Sequence, residues 1–141
     1  MVKIRNFIRL VVIFIRHFIL TKIYGMDISR TTRISFGAKL DKTNPKGIHI
    51  GEECAVASGA IILSHDFCKN IHADTYIGAR CLIGVNSIIM CGVRIGDNCV
   101  IGAGAIVTKD APPNCMLAGT PAKIIRKGIN TTKFGQLVNH E

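Results

Sequence analysis

Tryptophan is absent from this sequence and tyrosine occurs only twice. Proteins that hold single-stranded nucleic acid stack bases on aromatic rings, so that class is not expected despite a formal charge of +9. Acidic residues are also scarce, nine against eighteen Lys and Arg, and the imbalance is uneven. Residues 1–30 carry a net +5, residues 31–119 a net +1 and residues 120–141 a net +3. A nearly neutral middle with basic ends suits an anionic membrane surface or a phosphate-bearing ligand. No pair among Cys54, Cys68, Cys81, Cys91, Cys99 and Cys115 has C-x-x-C spacing, so no zinc knuckle is expected. The cysteine usage reads as a reducing, cytosolic compartment without disulfides.

What the sequence has in abundance is a beat of six. From residue 71 it reads "IHADTY", "IGARCL", "IGVNSI", "IMCGVR", "IGDNCV", "IGAGAI", "VTKDAP". An aliphatic residue opens each hexad, Gly often follows, and the fifth position is small: Thr75, Cys81, Ser87, Val93, Cys99, Ala105, Ala111. The same frame runs upstream from Ile50 and from Ile28. Neither a helical period of 3.6 nor a strand period of 2 describes it. A short strand plus a turn, repeated, does; three such units close a triangular coil, and stacked coils make a β-helix. On this frame residues 28–45, 50–67, 71–88 and 89–106 are coils, with 107–112 starting a fifth. Residues 46–49 and 68–70 are insertions, which in a solenoid project from a corner and are natural places to build a site.

With those hexads and the closing "AGTPAKIIR", the sequence resembles the hexapeptide-repeat acyltransferases over residues 28 to about 127. Within them it is most similar to the galactoside, maltose and surface-polysaccharide O-acetyltransferases. The resemblance implies an all-β solenoid: a left-handed parallel β-helix of four to five coils. Residues 1–25 form an amphipathic helical segment, residues 26–127 the repeat domain and residues 128–141 a short C-terminal tail. It also implies acetyl-CoA as co-substrate, a homotrimer with sites between neighbouring prisms, and no metal.

By the same resemblance, His65 in "LSHD" is the general base, because a His stands there just before the repeat breaks. A neutral imidazole near pH 7 is suited to taking a proton from an acceptor hydroxyl. Asp66 is the adjacent candidate to orient it, with Glu52 and Glu53 as alternatives in the same coil. His72 opens the next coil and is better explained as a surface side chain, His49 in the other insertion has equal claim to a structural role, and His17 and His140 lie outside the coils. Cys68, an alternative nucleophile, is a weaker candidate because the resemblance implies direct transfer. For the co-substrate, the resemblance places Val85 against the cofactor, the Ala103 backbone against its pantetheine arm, and Thr108 and Lys109 nearer the nucleotide. Lys123 and Arg126 resemble the basic pair facing its phosphates. Asn86 and Asn98 are expected at left-handed corners.

In "MVKIRNFIRLVVIFIRHFILTKIYG", the longest uncharged run is residues 10–15, far short of the roughly 20 residues a membrane span needs. At helical spacing Ile4, Phe7, Ile8, Val11, Phe14, Ile15 and Phe18 share one face, and Arg5, Arg9 and Arg16 form a stripe opposite. No small-residue cleavage site follows, so a signal peptide is not expected. The helix either caps the open end of the solenoid or docks on a membrane surface. The expected function is an acetyl-CoA-dependent O-acetyltransferase acting on a sugar hydroxyl in surface polysaccharide or glycan synthesis, in the cytoplasm and at the inner face of the membrane. The alternatives are transfer to serine or an amino sugar, a zinc hydratase built on His49, His65 and His72, or a non-catalytic scaffold.

Overall fold

A computed structural model of the chain describes residues 1–138, so His140 lies outside the described residues. Helix α1 (Val2–Phe18) leads through a π-turn (Ile19–Ile23) into a stack of short strands. The first coil holds β1 (Asp27–Ile28), β2 (Arg33–Ile34) and β3 (Lys39–Leu40). The second holds β4 (Ile48–Ile50), β5 (Ala55–Val56) and β6 (Ile61–Ile62). A hairpin of β7 (His65–Asp66) and β8 (Ile71–His72) then breaks the winding. The third coil has β9 (Thr75–Ile77), β10 (Leu82–Ile83) and β11 (Ile88–Ile89), and the fourth has β12 (Arg94–Ile95), β13 (Val100–Ile101) and β14 (Ile106–Val107). Above them β15 (Cys115–Ala118) pairs antiparallel with β16 (Lys123–Lys127).

The strands stack into three walls, β1-β4-β9-β12, β2-β5-β10-β13-β15 and β3-β6-β11-β14, parallel throughout. This is a left-handed parallel β-helix. The inward residues form columns: Ile28, Ile50, Ile77 and Ile95 on the first wall, Val56, Ile83, Ile101 and Leu117 on the second, Leu40, Ile62, Ile89 and Val107 on the third. A fully buried Ile or Val contributes about 1.5–3 kcal/mol, so the columns carry the fold. Cys54, Cys81, Cys99 and Cys115 line the corner between the first two walls, all buried. The first three thiols donate to carbonyls of the coil above: Cys54 to Gly78 O at 2.9 Å, Cys81 to Gly96 O and Cys99 to Pro112 O at 3.2 Å. A residue this small that can also donate there explains their recurrence.

Two details of the hexad reading are corrected. The third coil starts at Thr75, not at Ile71. Ile71 is 45% exposed and lies in the hairpin, so "IHADTY" keeps the beat by spacing alone. The break therefore spans residues 63–74 and not only 68–70. The first interruption spans residues 41–47, with a 3-10 turn at Pro45–Gly47, while His49 belongs to wall strand β4. The recurring Gly after Ile has a steric cause. At Gly84 a Cβ would stand 2.4 Å from Ile101 O, and at Gly78 2.7 Å from Asp97 N, so the stacking itself excludes a side chain. Left-handed corners fall instead on Glu53, Arg80, Asn86, Asn98 and Asn114, and on Gly59, Gly92 and Gly104, none of which follows the opening Ile.

The base and one corner of the prism are covered. At the base, Leu20 and Met26 are buried, and the Arg16 guanidinium donates to the carbonyls of Ile34, Ser35 and Ala38 at 3.0, 2.5 and 3.1 Å. The last described residues descend along the cysteine corner. Ile129 N donates to Asn114 O, Thr131 Oγ1 to Arg80 O, and Phe134 N to Glu53 O at 2.7 Å. The Arg33 guanidinium sits 4.2 Å from the Phe134 ring centroid. Residues 129–135 thus form a strap on the prism.

Candidate active site

Both interruptions leave the prism at the same corner, between the third wall and the first. Leu40 and Ile62 are register partners, so residues 41–47 and 63–74 lie one above the other. Asn44 Nδ2 donates to Ser64 O at 2.9 Å, and Ser64 Oγ donates to Asn44 O at 2.5 Å. Ser64 is fully buried, so this reciprocal pair locks one insertion onto the other.

The lock brings Asp41 to His65. Asp41 Oδ2 accepts from Ser64 N at 2.9 Å, from His65 N at 3.0 Å and from His65 Nδ1 in a short bond, while Oδ1 accepts from Thr43 N at 2.9 Å. Burial alone would raise the Asp41 carboxyl. The hydrogen bonds from Ser64, His65 and Thr43 outweigh it and hold the group below the usual carboxylate range. An ionised carboxylate only accepts, so Nδ1 carries the proton and a neutral ring leaves Nε2 as a bare acceptor. The Asp41 side chain is 3% exposed and that of His65 28%, so the acid is shielded while the ring reaches solvent. Nε2 has no hydrogen-bond partner among the described residues.

Asp66, the sequence candidate for the orienting acid, does not hold His65 here. Its Oδ1 accepts from Lys69 N at 3.1 Å and closes the turn of the hairpin, in which Asn70 is left-handed. Glu52 and Glu53 lie at the opposite, cysteine-lined corner. Asp41 escaped sequence reading because it is 24 residues from His65 and one coil below. The available signal was that both insertions share a corner.

Across the hairpin His65 pairs with His72, with ring centroids 6.3 Å apart, edge to face. Phe67 and Cys68 stand at the exposed tip, Phe67 at 90% exposure. Cys91 lies one coil above Ser64; burial first, then the charges of Asp66 and Asp41, pushes its thiol up. His49 is set apart on the first wall. Its Nδ1 bonds Asp27 Oδ2 at 2.9 Å, its Nε2 bonds Asp74 Oδ2 at 3.2 Å, and it stacks on Tyr76. His49, His65 and His72 therefore do not converge, and no group of three metal-ligating side chains does so among the described residues.

The six residues proposed to touch the co-substrate fall into three places. Val85 and Ala103 are exposed, one above the other, at the corner between the second and third walls, where Gly104 N donates to Val85 O at 2.8 Å. Thr108 and Lys109 are exposed at the His65 corner, two rungs above it, or roughly 10 Å at the usual strand spacing. Lys123 and Arg126 are exposed on β16 at the top, opposite Ala118 and Met116. One protomer thus places Val85 and Ala103 on one edge of the third wall, Thr108 and Lys109 on the other, and Lys123 and Arg126 at the top of the second, and does not gather them around His65.

A family model described as the hexapeptide repeat of succinyl-transferase matches residues 75–109. Protein CapG of Staphylococcus aureus is 45% identical over 105 residues, covering 67% of this chain and 58% of that one. The polysialic acid O-acetyltransferase of Escherichia coli O1:K1 / APEC is 42% identical over 121 residues, covering 77% of this chain and 38% of that one. The chain therefore spans between about two fifths and three fifths of these two relatives. Among solved structures, a maltose O-acetyltransferase from Clostridium difficile 630 superposes with a TM-score of 0.60 at 28% identity, covering 79% of this chain and 74% of that one.

Proposed function

The chain belongs to the hexapeptide-repeat acyltransferase family, and on that premise we propose that it transfers an acetyl group from acetyl-CoA to a sugar hydroxyl of a surface polysaccharide or lipid-linked glycan. The observation that carries the reading is His65: held by a buried, ionised Asp41 through Nδ1, with Nε2 bare and facing out. The named activities of the polysialic acid and maltose relatives support a sugar acceptor.

In this reading the acceptor hydroxyl donates to His65 Nε2. Its oxygen attacks the thioester carbonyl carbon as the proton moves to Nε2. The ring becomes an imidazolium, which the Asp41 charge favours. The tetrahedral oxyanion collapses, the carbon–sulfur bond breaks, and the Nε2 proton passes to the departing thiolate. The products are the acetyl ester and CoA, and the base is restored. Asp41 stays ionised throughout and acts as a positioning residue.

The reading also assigns Val85 to the co-substrate, Ala103 to its pantetheine arm, Thr108 and Lys109 to the nucleotide, and Lys123 and Arg126 to its 3′-phosphate. The first two pairs lie on the two edges of the third wall, and the basic pair lies on β16 at the top of the second. A homotrimer therefore completes the site, with one protomer's Val85–Ala103 corner meeting its neighbour's His65 corner. The reaction is placed in the cytoplasm, at the inner face of the membrane.

The test is acetyl transfer from acetyl-CoA to a panel of free glycosides, nucleotide sugars, polysaccharide fragments, serine and amino sugars. Ester formation on a sugar, lost in His65→Ala by on the order of a hundredfold or more, is expected. Transfer only to an amine, or near-native turnover without His65, overturns the assignment.

A further inference from the structure

The base of the prism carries a feature that acetyl transfer does not use. Helix α1 has seventeen residues and none is buried. It touches the body only near its C-terminal end, where Arg16 caps three carbonyls and His17 Nε2 meets Ser29 O at 3.1 Å. At 100° per residue, Arg5, Arg9, Ile13 and Arg16 lie on that contact side. Ile4, Phe7, Val11, Phe14 and Phe18 lie opposite and face away from the prism. Their exposures run from 39% to 71%, with Phe14 highest. Ile8 and Ile15 widen the same face, too broad for the narrow seam of a coiled coil.

The charge of the molecule gathers at the same end. Residues 1–46, which make the helix and the lowest coil, hold ten Lys and Arg against two Asp. One of the two is Asp41, shielded beneath His65. That is a net of +8 out of +9, so the rest of the chain is almost neutral. Lys22, Arg30, Arg33, Lys39, Lys42 and Lys46 are all exposed there. A second copy docking base to base would bring these like charges together. An anionic lipid surface is complementary to both properties at once: apolar side chains enter the acyl boundary, and the basic rim meets the headgroups. No helix of the described residues is long and apolar enough to cross a membrane.

We infer that the basal end of the β-helix docks on an anionic bilayer, with α1 in the membrane plane and the face of Ile4, Phe7, Val11, Phe14 and Phe18 turned into the lipid. The inference gives a structural basis to the location proposed above and does not depend on the chemistry at His65. It also sets the scale of the approach. Asp41 and His65 sit on the two lowest coils, so the active corner is within a few rungs of the lipid.

The test is flotation of the full chain with vesicles of phosphatidylcholine containing phosphatidylglycerol, beside vesicles of phosphatidylcholine alone. The protein floats with the anionic vesicles, less so with the neutral ones, and less at high salt. The double variant F7D/F14D stays in the dense fraction, and R5Q/R9Q weakens partitioning by up to roughly fivefold per residue. Far-UV circular dichroism and sedimentation show whether the variants keep fold and assembly. Hydrogen exchange of wild-type residues 2–15 should slow when anionic vesicles are added, which needs no variant. Wild-type protein that ignores anionic vesicles and shows no such slowing overturns the inference. So does a folded F7D/F14D that floats like wild type, or one that breaks an assembly while wild type ignores lipid; the last result makes the helix a seam between copies.

Discussion

Replacing Asp41 by Asn separates the two roles assigned to that carboxylate. Oδ2 takes three donors, from Ser64 N, His65 N and His65 Nδ1, and Oδ1 takes Thr43 N. An Asn side chain keeps one oxygen and places an amide donor where the other was. With its oxygen toward Ser64 and His65, the amide confronts Thr43 N; flipped, it confronts the three donors. The first choice leaves one donor unsatisfied, so Asp41→Asn should cost about 1–3 kcal/mol of stability. Catalysis should suffer more, because a neutral amide no longer favours the imidazolium; a fall in kcat on the order of a hundredfold is expected, with KM for acetyl-CoA nearly kept. The pH dependence gives an independent readout. The Asp41 carboxyl is held below its unfolded value, so its contribution is full above that value and is lost as pH falls through the folded one. The unfolded value is about 3.9, so the stability gap between wild type and Asp41→Asn should be constant near neutrality and shrink below roughly pH 4. Urea unfolding at neutral and acid pH measures the gap, and steady-state kinetics measures the rate. A variant with near-native turnover, or a gap that does not narrow in acid, refutes the role given to Asp41.

Replacing Lys123 and Arg126 together by Ala should raise KM for acetyl-CoA more than for dephospho-acetyl-CoA, since only the former has a 3′-phosphate; equal increases would place these residues elsewhere. Gly84→Ala puts a Cβ 2.4 Å from Ile101 O, backbone that cannot move without parting two coils, so a loss of about 1–3 kcal/mol in urea unfolding is expected. Sedimentation velocity should show a trimer at assay concentration, and an active monomer would contradict the shared site.

The hexads carried the wall register directly. Ile77, Ile83, Ile89, Ile95, Ile101 and Val107 open successive hexads and are all buried. Ile71 shows the limit of that rule. It falls on the beat, yet its backbone pairs with Asp66, because an antiparallel hairpin tolerates the same spacing as a wall. Residues 128–138 carry no period, so nothing in them announced the strap; its bonds go to Asn114, Arg80 and Glu53, residues that are neighbours only after the coils have stacked. For the same reason the helix was readable as amphipathic while its two duties were not separable. The contacts of Arg16, His17 and Leu20 assign the last turn to capping and leave the preceding turns with their apolar face uncovered.

The geometry of the candidate site follows from how a coil accommodates extra chain. A wall strand is fixed by its neighbours above and below, so surplus residues leave only at corners. Two surpluses in successive coils, 41–47 and 63–74, leave at one corner and have nowhere to pack but on each other. Their first residues are still in wall register, which sets Asp41 level with Leu63 and puts its carboxylate under the N–H groups of Ser64 and His65. Those amides would otherwise lose their partners where the chain departs, and a buried unpaired donor is costly. The carboxylate that satisfies them is the one that orients the imidazole. The acid–base pair is thus set where the walls hand over to the insertions, at the first residues of each, and the reciprocal Asn44–Ser64 bonds hold the two insertions together there.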